Sequence, residues 1–344
     1  MKISICIPQY NRIRFLLESL HTIARQTYDQ LEIVISDDRS SDGTEDQIKA
    51  LIHAGYKYPI VYSKNPVNYG YDRNLRASIE LATGDYILIL GNDDTLNPDL
   101  DLRILVDFLE THHFPSVGFV NYQDAGSGII TYRAQHTGML GSGPEIALKY
   151  YSCFSFVAGI VYRRSTFLRY NTDKMDGSIY TQIYLSCLPI AQGENLFCIR
   201  EPLVIKDILP EAQDRIAYND ILPRTWSTFK LLDGGLPSVM SVVLSVFRDT
   251  GTITQAIYFK AFRKIYLTTL PYWIQEYKKQ KALPAAVGIF LGVKPKAMPW
   301  IDELNIWNRL KITVYYIGMS VSSLLFPGFL FEKIRPTIYS WIKR

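Results

Sequence analysis

The run from Tyr86 to Leu90 is apolar, and it stops abruptly in Gly91-Asn92-Asp93-Asp94. Its length suits a buried strand. A buried strand that ends in two adjacent acids puts them at the carboxyl edge of a sheet, where open α/β sheets bind ligands. Carboxylate oxygens there suit a divalent cation carried on a diphosphate. A plain polar turn closed by Asn97-Pro98 is the alternative, and the residues upstream decide between the two.

Lys2 to Ile7 reads as a first strand and Leu31 to Ser36 as a second, with helical spacing of Phe15, Leu16, Leu17, Leu20 and Ile23 between them. A strand–helix–strand unit of this length implies a parallel sheet. Thr44 to Ala54 and Tyr71 to Ala82 read as helices, and Pro59 to Tyr62 as a short strand. The predicted class is α/β, a mainly parallel sheet flanked by helices. Pro8-Gln9-Tyr10-Asn11 follows the first strand in place of GxGxxG, and no GxxxxGK[ST] occurs, so phosphate charge must be met by a metal, by Arg side chains or by both.

Five blocks carry a resemblance: Ser4 to Arg12, Ile33 to Thr44, Asn68-Tyr69-Gly70 with Arg73-Asn74, Ala82 to Ile87, and Asn92-Asp93-Asp94. Together they resemble the family 2 glycosyltransferases of the GT-A fold, over about the first hundred residues. The resemblance implies inverting transfer of a sugar from a nucleotide-sugar, with Mg²⁺ or Mn²⁺ on the diphosphate. It implies that Pro8 and Tyr10 line the base pocket and that Asp38 accepts a hydrogen bond from the base. Arg12, Asn68, Arg73 and Asn92 join the donor-binding set, Asp93 holds the metal, and Asp94 sits beside the donor sugar or metal. Gly91 departs from the family's Asp-x-Asp, and Gly-Asn-Asp-Asp is similar to abequosyltransferase-like members.

An oxocarbenium-like transition state needs the leaving diphosphate neutralised, and an inverting displacement needs a base for the acceptor hydroxyl. The family's acidic pair is absent around Thr181-Gln182. Asp176 is the nearest carboxylate upstream and the preferred base, with Asp173 second; both could instead be solvated loop acids. Phe154 to Tyr162 reads as a buried strand, Arg163 to Ser165 as a helix start, and Glu194 to Lys206 as a strand pair that completes the domain. The histidines carry no ligand spacing, and the four cysteines read as reduced core thiols of a cytosolic protein. The first residues hold no signal-peptide pattern.

Two regions are expected, a catalytic domain over residues 1–235 and a helical, basic and apolar region over 236–344. From Gly251 onward stand 14 Lys/Arg against 4 Asp/Glu, within a chain of formal net charge +4. Such a tail suits an anionic membrane surface better than nucleic acid. Thr254 to Gln280 reads as an amphipathic helix pair broken at Pro271. Ile312 to Phe331 has the length of a span, yet its basic flanks and Trp300, Trp307 and Trp341 fit an interfacial or re-entrant segment. A buried helix of a soluble domain is the alternative. The reading is a glycosyltransferase at the cytoplasmic face of the inner membrane, peripheral or monotopic, with a nucleotide-sugar donor and a lipid-linked saccharide acceptor of O-antigen or capsule assembly. A nucleotidyltransferase and a catalytically inactive membrane scaffold on the same fold are its rivals.

Overall fold

The structure, a computed structural model, describes residues 1–208, 236–279, 281, 283–331 and 333–334. Contacts divide the chain into two compact units, Met1–Arg215 and Ile216–Arg344.

The first unit is built on one sheet. Its strands are β1 (Ile3–Gln9), β2 (Leu31–Asp37), β3 (Ile60–Lys64), β4 (Tyr86–Ile89), β5 (Thr95–Leu96), β6 (Val117–Asp124), β7 (Ile130–Thr131), β8 (Gly138–Gly141), β9 (Ile160–Arg163) and β10 (Leu196–Lys206). The order is β3-β2-β1-β4-β9-β6-β10-β5, with β7 on β6 and β8 on β10. β1 pairs in parallel with β2 and β4, and β6 with β10, whereas β9 runs antiparallel between β4 and β6. Every residue of β1, β2 and β4 is buried, as a strand covered on both faces requires. The chain passes from β1 outward to β3 and returns to β4 on the other side of β1, so the switch point of the topology lies between β1 and β4.

The helices of this unit are α1 (Ile13–Ile23), α2 (Thr44–His53), α3 (Tyr71–Glu80), α4 (Arg103–Thr111), α5 (Pro144–Tyr150), α6 (Arg164–Tyr170) and α7 (Thr181–Ala191). α1 buries Ile13, Leu16, Leu20 and Ile23, one stripe at helical spacing. Its first N–H groups are met from another loop, where Asp42 accepts from the Ile13 N–H at 2.8 Å.

Two elements differ from expectation. Strand β9 spans only Ile160–Arg163, and Tyr151–Phe154 is a 3₁₀ turn. The carbonyls of Cys153, Phe156 and Ala158 are taken out of any ladder by the buried guanidinium of Arg133 (3.0, 3.1 and 2.6 Å). The expected strand pair at Glu194 to Lys206 is one strand, β10, whose register against β6 breaks between Ile199 and Val204. Pro202 lies in that break, where its missing N–H costs no ladder bond.

The second unit is helical: α8 (Leu236–Asp249), α9 (Gln255–Lys264), α10 (Leu270–Lys279), α11 (Leu283–Gly292) and α12 (Ile306–Leu325). Pro271 does not break the chain's helical path. A π turn over Ile265–Thr269 joins α9 to α10, and its wider winding leaves room for the ring that an α-helix would push against the preceding turn. α12 buries Ile312 and Tyr316, and the Tyr316 ring stacks on Phe290 at 5.5 Å while its hydroxyl donates to the Phe290 carbonyl at 2.8 Å. The expected apolar segment Ile312 to Phe331 is not one helix. α12 ends at Leu325, and the Lys278 ammonium donates to the Ser323, Leu324 and Phe326 carbonyls (3.0, 2.8 and 2.6 Å). Among the described residues no helix is long and apolar enough to cross a membrane.

Candidate active site

The carboxyl ends of β1, β2, β3 and β4 meet in one polar network. Gln9, the last residue of β1, accepts from the Asn92 amide at 2.9 Å and donates to the Thr44 hydroxyl at 3.0 Å. Its carbonyl accepts from the Asp38 N–H and from the Asn74 amide (2.9 and 3.2 Å). The Asn65 amide bridges Asp38 and Asn74, at 3.1 Å to each. Gln9, Asn65 and Asn74 thus tie four strand ends together. Asn65 does not stand out in the sequence, and Gln9 and Asn74 lie in the quoted blocks with no role assigned to them.

Asp38 is buried, and its carboxylate accepts from the backbone N–H groups of Tyr69 and Gly70 (2.7 and 2.9 Å) as well as from Asn65. It shapes the loop from Asn65 to Gly70. Asn68 is exposed in that loop and accepts from the Gly70 N–H at 3.0 Å. Arg73 is exposed on α3, with its guanidinium 4.1 Å from the centroid of the Tyr69 ring. Pro8 is buried within β1, and Tyr10, 48% exposed, projects just beyond it.

Arg12 pairs with Asp93 in a close salt bridge. The adjacent Asp94 is only 3% exposed, and its carboxylate turns back on its own loop to accept from the Gly91 N–H at 3.2 Å and the Asp207 N–H at 3.2 Å. That fold explains the glycine. A Cβ at position 91 would lie 2.4 Å from Asp94 Oδ2, so the position at which the family's first acid is usual has no room for a side chain while Asp94 holds this place. Burial, and then the charge of Asp93, push the Asp94 carboxyl well above the usual carboxylate range. The Ile208 N–H donates to the Asp93 carbonyl at 2.9 Å, so the end of β10 clasps this turn.

Among the described residues, no three His, Cys, Asp or Glu side chains converge as a ready metal cage. The donor set fits a cation that arrives with a diphosphate, which commonly uses one or two carboxylates plus phosphate oxygens. Asp93 offers such a cation a partly exposed carboxylate.

Asp176 is not a free acid. Its carboxylate receives both Nε and Nη2 of Arg76 at 2.9 and 2.6 Å, a bidentate pair from α3. Also on α3, buried Asp72 accepts from the Ile179 and Thr181 N–H groups (2.7 and 3.3 Å) and so caps the start of α7. Burial raises the Asp72 carboxyl, against the lowering effect of those backbone bonds. Thr181 and Gln182, where the acidic pair was expected and absent, are buried.

Residues 4–172 match the profile of glycosyl transferase family 2. This segment belongs to that family. The family 2 domain is similar to abequosyltransferase RfbV of Salmonella typhimurium, 40% identical over 148 residues that make up 42% of this chain and 43% of the relative. It is also similar to the amylovoran biosynthesis glycosyltransferase AmsB of Erwinia amylovora, at 28% identity over 45% of this chain and 52% of that one. The chain spans 43–44% of the length of the first curated relatives it matches. Among solved structures, S. aureus TarS 1-349 in complex with UDP aligns with a TM-score of 0.58 at 16% identity, over 94% of this chain and 91% of that chain. That likeness supports the GT-A fold of the family 2 domain.

Proposed function

We propose that this chain is an inverting glycosyltransferase that moves a sugar from a nucleotide-sugar to a saccharide acceptor in cell-surface polysaccharide assembly. The observation that carries it is the Arg12–Asp93 pair at the switch point, joined through Asn92 and Gln9 to the Asp38 loop. On this reading the base lies against Pro8, Tyr10 and the loop that Asp38 shapes. Arg73 and Asn68 face the diphosphate, and Asp93 holds Mg²⁺ or Mn²⁺. The bound cation would supply Lewis-acid neutralisation of the leaving group. Arg12 holds Asp93 in place through their salt bridge, and Asp94, whose carboxyl is pushed up by burial, lies beside the donor sugar. Asp176 takes the acceptor's proton once the Arg76 pair yields to the bound substrate. The amylovoran biosynthesis named for one relative supports a role in cell-surface polysaccharide assembly, and the basic second unit supports a lipid-linked acceptor and residence at the cytoplasmic membrane surface. Neither a nucleotidyltransferase nor an inert scaffold is favoured by the family match.

The test is a screen of nucleotide-sugars with Mn²⁺, read by melting temperature and by nucleotide release. A cognate nucleotide raises the melting temperature by mass action. Asp93→Ala should abolish transfer while the protein still melts cooperatively, and EDTA should silence the wild type. Full activity in EDTA would remove the metal, and the absence of stabilisation by any nucleotide would remove the donor site.

A further inference from the structure

α12 carries two faces. Ile312, Tyr316, Ser320 and Ser323 are buried within the second unit. Turned outward are Trp307, Leu310, Val314, Ile317, Val321 and Leu325, spaced three or four residues apart and 46% to 78% exposed. They make one apolar stripe along the 20 residues of the helix. A contiguous outward apolar stripe marks a surface built to meet a partner or a membrane. Lys278 closes the helix end on its inner side, so the helix is anchored in its own unit and only its outer face is available.

The charge of the second unit selects the occupant. Asp302 and Glu303 are taken by Arg309 and Arg248. Lys281, Lys294, Lys296, Lys311 and Lys333 are exposed and have no acidic partner among the described residues. A second copy laid along the stripe would add a second set of exposed lysines, while Asp302 and Glu303 are already paired, so charge does not favour a paired helix. A surface of anionic headgroups over acyl chains satisfies both the apolar stripe and the lysines.

We propose that α12 lies flat in the headgroup region of an anionic bilayer, with its outer stripe dipping into the acyl boundary. This refines the membrane part of the function proposed above and is independent of the sugar chemistry. The experiment is flotation of the full chain with vesicles of phosphatidylcholine, with and without phosphatidylglycerol. Wild type should float on the anionic vesicles. Val314→Glu/Ile317→Glu should reduce partitioning by about tenfold or more, because two apolar side chains lose their burial and gain charge. Both positions face outward, so the variant should melt near the wild-type temperature and keep its stabilisation by nucleotide. Lys296→Glu/Lys311→Glu should weaken flotation at low salt and differ little from wild type at high salt. Wild type left at the bottom of the gradient would overturn the proposal. So would a double-Glu variant that floats as wild type does, or a wild-type dimer in sedimentation, free of vesicles, that the double-Glu variant dissolves.

Discussion

Asp94 shows how one side chain can set the pH response of a fold. Its carboxyl is raised by burial and by the neighbouring Asp93 charge, so the folded state prefers the protonated form. A group raised on folding adds stability below its unfolded value, about 4, and loses it as pH climbs through the folded value. Asp94→Asn fixes the neutral form. Its amide NH₂ faces the Gly91 or the Asp207 N–H, so we expect it to melt below wild type at pH 4 and to close that gap as pH rises to 8, as measured by calorimetry across that range. Glu32 acts in the opposite direction at the amino edge of the sheet. Burial alone would raise it, but hydrogen bonds from Lys2, Ser4 and Thr83 prevail and hold it at about 2. Its contribution is present above the unfolded value and is lost as pH falls toward 2. Glu32→Gln sets an amide NH₂ against those donors and should cost about 1–3 kcal/mol at pH 7, measured by urea titration. The same carboxylate accepts from the Thr83 and Gly84 N–H groups at 2.6 and 3.1 Å. A Cβ on Gly84 would meet Ser4 Oγ at 2.6 Å. The Ala82 to Ile87 block that resembles the family is thus held at the amino edge of the sheet through Glu32 and Ser4.

At the scale of elements, α3 ties the strand-end network to the Asp176 loop and to the start of α7. Asn74 reaches Gln9 and Asn65, Asp72 caps α7, and Arg76 holds Asp176. A double-mutant cycle on Arg76→Ala and Asp176→Ala should give a coupling of about 1–3 kcal/mol in stability, the range for charge-assisted bonds that are not fully buried. Turnover separates the two roles of Asp176. If it takes the acceptor's proton, Asp176→Asn should lose far more kcat than Arg76→Ala; equal losses would make it a tie and nothing more. Much of this architecture was legible in the sequence, because β1, β2 and β4 are buried on both faces and read as unbroken apolar runs. The strand ends were legible too, since acids after such runs have few other uses. Arg133 was not. An arginine whose donors all go to main-chain carbonyls leaves no periodic trace, and it is the reason that Phe154 to Tyr162 is not one strand. The engagement of Asp38 and Asp176 was equally hidden, because their partners are backbone N–H groups and an arginine a hundred positions away.

For the whole molecule, the strand order sets a schedule. β1 to β4 pair among themselves within the first ninety residues, leaving the outer edge of β3, which ends the sheet, and one edge of β4. That edge waits for β9, which begins about seventy residues later, at Ile160. At roughly 5–20 residues per second, a ribosome would leave it bare for several seconds. Tyr-Ile-Leu-Ile is a poor sequence to leave bare, since an apolar unpaired edge invites a strand from another chain. A chain stopped at residue 150 should therefore pellet after dilution from urea under conditions in which the full chain remains in the supernatant. Clearance of both would show that some other segment shields β4 early. The antiparallel strand that closes the sheet beside the candidate site thus also dates the moment at which the nascent chain can cover its own apolar edge.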